Sequence, residues 1–345
     1  MSNPKVSIII PHWNGIEILS DCLESLAQTE YTNLEIIVVD NASTDGSSDW
    51  VNINYPSVKL IENDQNYGYA GGCNRGANVA TGDFLVFLNN DTIQDSKWID
   101  TLVDFLSLNS NVAAVQPKIL NFFDQAKFDY AGGAGGWLDI LGYPFARGRV
   151  FLEQEQDTGQ YDKIRPIFWA SGTALMVRKS DFELANGFDE TFFAHQEEID
   201  LCWKFRLMGK ETWAVPSGVV YHKNALTLPM FSRKKQYLNH RNSLLMILCN
   251  YSLPLTLYIL PIRIALEFVA LFYSLVFLDM NHFIGILQSL FWVFTHPHVI
   301  WKRRRAIKKL RKVNDKQVLP WICLLYTSDA ADDMQCVDLG GRRII

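Results

Sequence analysis

Residues 84–92 read FLVFLNNDT. Five consecutive apolar residues suit a strand buried on both faces, and the run stops at two asparagines, an aspartate and a threonine. The same design occurs twice upstream. VSIII at 6–10 leads into the polar turn PHWNG, and LEIIVVD at 34–40 leads into NASTDGSS. Between them, ILSDCLESLAQ sets Leu19, Cys22, Leu23 and Leu26 on one helical stripe. VKLIEN at 58–63 predicts a short strand, and the latter half of NYGYAGGCNRGANVATGD at 66–83 predicts a helix closed by Gly82. Beyond residue 92, DSKWIDTLVDFLSLN predicts a helix with Ile99, Leu102, Val103 and Leu106 inward. Strands alternating with helices at this spacing predict an α/β fold with a mainly parallel sheet flanked by helices. Such a sheet binds ligands beyond the carboxyl ends of its strands.

The stretch 117–225 is less regular. YAGGAGGWLDILGYPFARGR at 130–149 reads as loop, IFWASGTALMVRK at 167–179 as a strand, and EEIDLCWKFRLMG at 197–209 as a helix burying Ile199, Cys202 and Phe205 and stopped by Gly209. Acidic residues recur at the ends of apolar runs: Asp40, Asp91, and the group Glu197, Glu198 and Asp200. Each alone could cap the following turn or helix. Three at one sheet edge suit a hard divalent cation, which takes oxygen ligands and, where it serves phosphates, needs only one or two protein carboxylates.

Composition narrows the classes. A chain of 345 residues with 48% hydrophobic content can bury a full core. A net charge of -5, with no excess of Lys and Arg in the first 230 residues, argues against nucleic acid as a partner. The six cysteines, at 22, 73, 202, 249, 323 and 336, form no CxxC pair and read as reduced thiols on a cytosolic face. The first apolar run is too short for a secretory signal. The tail from Cys323, CLLYTSDAADDMQCVDLGGRRII, has no strand or helix period. One codon choice for residues 323–328 resembles a transposon end used in sequencing-library adapters, so 323–345 is read as an adapter-derived, non-native tail and set aside.

VSIIIPHWNG, VVDNASTDGS, NYGYAGGCNRG, FLNNDT, GFDETFFAHQEEIDLCWK and YH follow one another in the order and spacing of family 2 glycosyltransferases. The chain resembles that family, especially its rhamnosyltransferase-like branch, over about residues 5–225. The resemblance implies the GT-A nucleotide-diphospho-sugar transferase fold, a divalent metal (Mn2+ or Mg2+) and inversion at the sugar carbon. By resemblance, Pro11, His12 and Asn14 line the nucleotide pocket, and Asp40 with Asn41 accepts the base. Asn66, Gly68, Gly71 and Asn74 line the nucleotide-sugar site together with Asn89 and Asn90. Asn89 stands where the family often has the first acid of an Asp-x-Asp metal motif, so Asp91 must carry the charge. His222 matches a late histidine that joins the metal; the alternative is a surface histidine after a strand. The family's Glu-Asp-x-Asp is here Glu197-Glu198-Ile199-Asp200, which puts the catalytic base on Glu198, with Glu197 and Asp200 as alternatives. The extra methylene moves that carboxylate by about 1.5 Å. Trp169, Ser171 and Gly172 would border the acceptor, although a tryptophan in such a run is as often core.

The expected organisation is a transferase domain over 1–230, a connecting helix over 231–250 and an apolar, membrane-associated hairpin over 251–312. Pro261–Leu278 would form a helix of about 27 Å, just short of a bilayer core, and Phe283–Thr295 a shorter one. RKK at 233–235 and KRRRAIKKLRK at 302–312 suit anionic inner-leaflet lipids. Helices lying in or dipping into the cytoplasmic face of the inner membrane, a two-helix span and a soluble dimerisation hairpin are all compatible with this pattern. The predicted partners are therefore a nucleotide-diphosphate sugar, a glycan or lipid-linked acceptor, and membrane lipid. A nicotinamide oxidoreductase would carry G-x-G-x-x-G after the first strand, where this chain has PHWNG. The remaining rival is a non-catalytic glycan-binding or scaffold protein on a decayed transferase fold.

Overall fold

The computed structural model describes residues 3–224 and 232–323. The adapter-derived reading of the tail, beyond Cys323, and the expected domain boundary at 230 lie outside the described residues. In chain order the first half is β1 (Val6–His12), α1 (Ile16–Leu26), β2 (Leu34–Asp40), α2 (Ser47–Asn54), β3 (Lys59–Glu62), α3 (Gly68–Val79), β4 (Phe84–Leu88), β5 (Thr92–Gln94), α4 (Asp100–Leu108) and β6 (Val112–Asn121). Next come β7 (Gly136–Asp139), β8 (Pro144–Ala146), β9 (Arg149–Val150), β10 (Glu153–Gln154), β11 (Arg165–Ile167), β12 (Ala174–Arg178), α5 (Lys179–Leu184), α6 (Glu197–Leu207) and β13 (Glu211–His222). The remainder is α7 (Arg233–Asn250), α8 (Leu253–Val276), α9 (Met280–Thr295), α10 (Pro297–Leu310), α11 (Asp315–Val318) and the short β14 (Ile322–Cys323).

The main sheet runs β11-β13-β6-β12-β4-β1-β2-β3, with β5 paired to the end of β13. β3, β2, β1 and β4 are parallel to one another, as are β6 and β13. β12 enters antiparallel between β4 and β6, so the sheet is mixed, with its parallel strands in the majority. Both faces are covered, as the continuous apolar runs require: Ile8 and Ile10 pack on one side of β1, and Ile9 on the other.

Three local expectations change. The segment 167–179 is not one strand: β11 sits at a sheet edge and β12 near its centre, with a break at 168–173 where Ser171 donates its backbone N–H to Gln116 Oε1 at 2.8 Å and its hydroxyl to the Ala131 carbonyl at 2.6 Å. The glycine-rich helix α3 begins at Gly68 and ends before Gly82. Its glycines bring backbone against strand; a methyl at Gly76 would collide with Ile9. The stretch 130–149 is not simply loop, since β7 and β8 pair antiparallel within it.

The C-terminal helices form a layer of their own. α8 is longer than the expected block: it starts at Leu253, carries Pro261 in its interior, and spans 24 residues, about 36 Å at 1.5 Å per residue. Its buried stripe is Thr256, Ile259, Arg263, Glu267, Leu271 and Ser274, four of the six being polar or charged. Leu257, Tyr258, Ile262, Phe268, Val269, Phe272 and Tyr273 face outward. α9 repeats the inversion, with Gly285 and Ser289 inside and Phe291 and Phe294 outside. Within the interior, His240 Nδ1 meets Glu267 at 2.7 Å, His240 Nε2 meets His282 at 2.9 Å, and Arg263 pairs with Glu267. Among the described residues, α8 is long and apolar enough to cross a membrane, and α9 with α10, bent by 72°, makes a second candidate if the two are one span.

Candidate active site

The parallel strands end together, and a cleft of about 1000 Å3 opens beyond their carboxyl ends. Its floor is built by strand-end residues. Pro11 and His12 come from β1, Asn41 follows β2, Asn89, Asn90 and Asp91 follow β4, and His222 closes β13. Burial lowers the His12 pKa against the opposing fields of Asp40 and Asp45, so the ring is neutral at pH 7. Its two nitrogens meet Asn90 at 2.8 Å and Ser47 Oγ at 2.9 Å. Asn41 donates to the Gly68 carbonyl at 3.2 Å and accepts from Asn63 at 2.9 Å. These contacts hold the floor rigid.

Asp91 and His222 converge across the sheet, with His222 Nε2 3.1 Å from Asp91 Oδ1 and His222 Nδ1 3.1 Å from Asp129. Burial alone would lower the histidine pKa; the Asp129 and Asp91 carboxylates more than reverse this and raise it to about 10. Asp91 Oδ1 is nevertheless buried with no aligned hydrogen-bond donor. One carboxylate oxygen and one imidazole nitrogen, with the Asn89 amide 3.3 Å from His222, form a donor set that fits a divalent cation whose remaining ligands come from phosphate and water. Among the described residues no group of three His, Cys, Asp or Glu side chains is placed to hold a metal ion by itself, which suits an ion completed by phosphate and water. A cation there would take the place of the His222 proton.

A wall of the same cleft carries Glu197 and Glu198 at the start of α6. Burial raises the Glu198 carboxyl to about 7, against the backbone N–H groups of the helix start that favour its charge. Burial, and then Glu198 itself, raises Glu197 well above the usual range. Each has a buried Oε2 without a partner. The loop before them is held in left-handed backbone at Phe193, His195 and Gln196, with φ of 65°, 69° and 69°. Gly68, at φ 71°, packs against the Phe193 carbonyl, and Ala70 donates its N–H to that oxygen at 3.2 Å. Gly68→Ala should therefore destabilise the fold by about 2–4 kcal/mol. A denaturant melt measures this, and an unchanged midpoint would show that α3 does not lock the loop.

Among the acceptor candidates, Trp169, Ser171 and Gly172 all border the cleft. Trp169 is largely buried, donating Nε1–H to the Trp137 carbonyl at 2.8 Å. Glu198 lies beside Gly172, whose carbonyl accepts from Tyr69.

Other expected residues stand behind the cleft. Asp40 accepts from the Ser43 N–H at 3.0 Å, and Asn14 braces the same turn through Thr44 at 2.8 Å. Gly71 packs under Tyr67. Asn74 ties α3 to Phe188, donating to its carbonyl at 2.8 Å and accepting from its N–H at 3.0 Å. Asp200 is corrected outright as a candidate base. It is fully buried among Lys204 at 3.2 Å, Arg303 at 3.3 Å and Asn250 at 2.9 Å, where it clamps α6 to α7 and α10. Sequence reasoning missed Asp129, which orients His222 from within an irregular glycine-rich stretch. It also missed His195, whose Nε2 is buried without a partner and whose pKa burial, aided by Lys235, lowers to about 4.

Residues 7–183 match the family model described as Glycosyl transferase family 2. Over 232 residues the chain is 29% identical to the O-antigen biosynthesis protein RfbC of Myxococcus xanthus, covering 64% of this chain and 18% of that protein. It is 28% identical over 221 residues to the N-acetylglucosaminyl-diphospho-decaprenol L-rhamnosyltransferase of Mycobacterium tuberculosis, covering 59% and 71% respectively. Among solved structures, GalNAc-T7 with UDP, GalNAc and Mn2+ superposes with a TM-score of 0.54 at 16% identity, covering 69% of this chain and 47% of that one. The Pyrobaculum calidifontis mannosyltransferase PcManGT, with GDP-Man and Mn2+, gives a TM-score of 0.50 at 18% identity, covering 90% and 86%. The fold is the GT-A glycosyltransferase fold.

Proposed function

This chain belongs to glycosyl transferase family 2, and we propose that it is an inverting transferase moving L-rhamnose from a dTDP donor onto a lipid-linked or cell-surface glycan. The observation that carries this reading is the meeting of two sets in one cleft: Asp91 and His222 on the floor, Glu197 and Glu198 on the wall. The choice of sugar and acceptor is supported by the mycobacterial relative, a rhamnosyltransferase named for a diphospho-decaprenol acceptor.

Asp91 and His222 would hold a divalent cation; the imidazole suits Mn2+ better than Mg2+. Such an ion neutralises the charge that grows on a departing diphosphate. His12, Asn41 and Asn66 contribute polar atoms on the nucleotide side of the cleft, and Gly68 lines it beside them. From the wall, the Glu198 carboxylate takes the acceptor hydroxyl proton, which makes that oxygen nucleophilic on the face opposite the leaving group. Burial and the neighbouring Glu198 favour the protonated form of Glu197 beside it. The test is a screen of thymidine, uridine and guanosine diphosphate sugars with Mn2+ or Mg2+ for nucleoside diphosphate release. Turnover of dTDP-rhamnose supports the reading; failure of every donor favours the scaffold alternative.

Location at the cytoplasmic face of the inner membrane is part of the proposal. A helix that buries Arg263 and Glu267 while presenting Phe268, Phe272 and Tyr273 outward has its apolar face where lipid would be. Lys302, Arg305, Lys308 and Lys309 are exposed on α10 beside Trp301, a pairing suited to an anionic headgroup layer. Arg303 and Arg304, expected in the same flank, instead turn inward to Asp189 and to the Thr256 hydroxyl. Replacing Phe268, Phe272 and Tyr273 with Gln should release the protein from phosphatidylglycerol vesicles in a flotation assay. Unchanged flotation would remove the helix from the interface.

A further inference from the structure

Three cations on the rim of the cleft have no role in the reading above. Arg149, on β9, stacks over the Tyr130 ring at 3.9 Å, and the Lys234 ammonium lies 4.3 Å from the Phe193 ring centre. Lys235 follows in the first turn of α7, where its N–H is capped by Ser232. All three line the cleft. Among the described residues, none of them has a carboxylate within ion-pair distance, whereas Lys118, Arg263 and Arg303 each have one. Burial, and then the field of Arg149, lowers the Lys235 pKa. Like charges gathered without a counter-charge are unfavourable until an anion joins them, and the N–H groups at the start of α7 add to the same field.

The rim also adjoins apolar surface. Phe151 and Leu152, just after Arg149, are 65% and 63% exposed. Along α7 the cleft wall continues through Gln236, Asn239 and Ser243. Gln236 packs against Gly285 of α9, and Ser243 accepts from Arg263 of α8 at 3.3 Å. Arg263 reaches the cleft while its neighbour Ile262 is 51% exposed on the outward face. The cleft lining formed by α7 thus reaches the α8–α9 layer, whose apolar residues lie on its outer side. A donor nucleotide has no use for that surface, and in the reading above its diphosphate would be met at Asp91 and His222 through a divalent cation.

We propose that Arg149, Lys234 and Lys235 bind the diphosphate of a lipid-linked acceptor, whose hydrocarbon chain continues onto the apolar surface of α8 and α9. This inference rests on the glycosyltransferase reading. The test uses the full chain in detergent, with farnesyl diphosphate, farnesol and dTDP as separate binding probes, and compares wild type with the triple variant R149Q/K234Q/K235Q and with the charge-preserving R149K. The triple variant should lose about tenfold or more in affinity for farnesyl diphosphate, R149K should lose far less, and farnesol and dTDP should change by less than about twofold. Loss of dTDP affinity with farnesyl diphosphate unaffected would assign the rim to the donor and overturn the proposal. Equal binding of farnesyl diphosphate by wild type and triple variant, or none by either, would also overturn it, as would a loss confined to flotation on phosphatidylglycerol vesicles. Donor hydrolysis without acceptor reports on the transferase reading separately, since it does not need the rim.

Discussion

Glu198→Gln should slow sugar transfer by orders of magnitude and leave donor binding intact. The substitution keeps the shape of the side chain and removes the carboxylate that takes the acceptor proton in this reading. Loss of a positioned general base costs about 10²–10⁴-fold in rate, and the loss should fall on kcat, with the donor KM unchanged. The companion variant Glu197→Gln separates the two acids. Burial and the neighbouring Glu198 shift Glu197 toward its protonated form, which a neutral amide resembles, so this variant should cost far less. The pH profile follows from the same environment. Burial raises Glu198 to about 7, and the carboxylate is the active form, so kcat/KM should fall as pH drops below about 7 and level off above it. Rates that stay flat from pH 8 to about pH 5, well below that value, would remove Glu198 from the role.

Asp91→Asn is the second large effect, and it acts on the floor. Asp91 Oδ1 is buried, lacks an aligned donor and faces His222, so it is the carboxylate best placed to hold a cation. The amide variant should lose the part of donor binding that depends on Mn2+, measured by calorimetry with and without chelator, and transfer should fall by about 10²–10³-fold. Metal-free melting provides the control, because the same carboxylate also neighbours the His222 ring. If Mn2+ strengthens donor binding equally in both proteins, the cation sits elsewhere.

The two halves of the active site were unequally legible from sequence. Buried strands reveal themselves by composition, so FLVFL and IIVV located the floor, and the acids after them fell at one sheet edge. Periodicity does not report which strand a strand will pair with, which is why the antiparallel entry of β12 between β4 and β6 was not legible. Helix propensity argued against a start at Gly68, but close packing of α3 on β1 and on the Phe193 loop overrides it. Pro261 looked like a helix boundary, yet α8 runs through it, starting at Leu253 with Pro254 in its first turn. Asp200 shared the local spacing of its neighbours; contacts 50 and 103 residues away, to Asn250 and Arg303, show that it belongs to the core. Asp129 left no local signal at all. The rim cations were visible as RKK, but their meeting with Arg149 is a product of the tertiary fold.

The central claim is that Glu198 and the Asp91–His222 pair act from opposite sides of one bound sugar. The direct measurement is the anomeric configuration of the transferred residue, read by NMR on purified product and compared with that of the donor. A single displacement gives the opposite configuration. A product that keeps the donor's configuration would contradict it, because the base and the leaving group would then share a face.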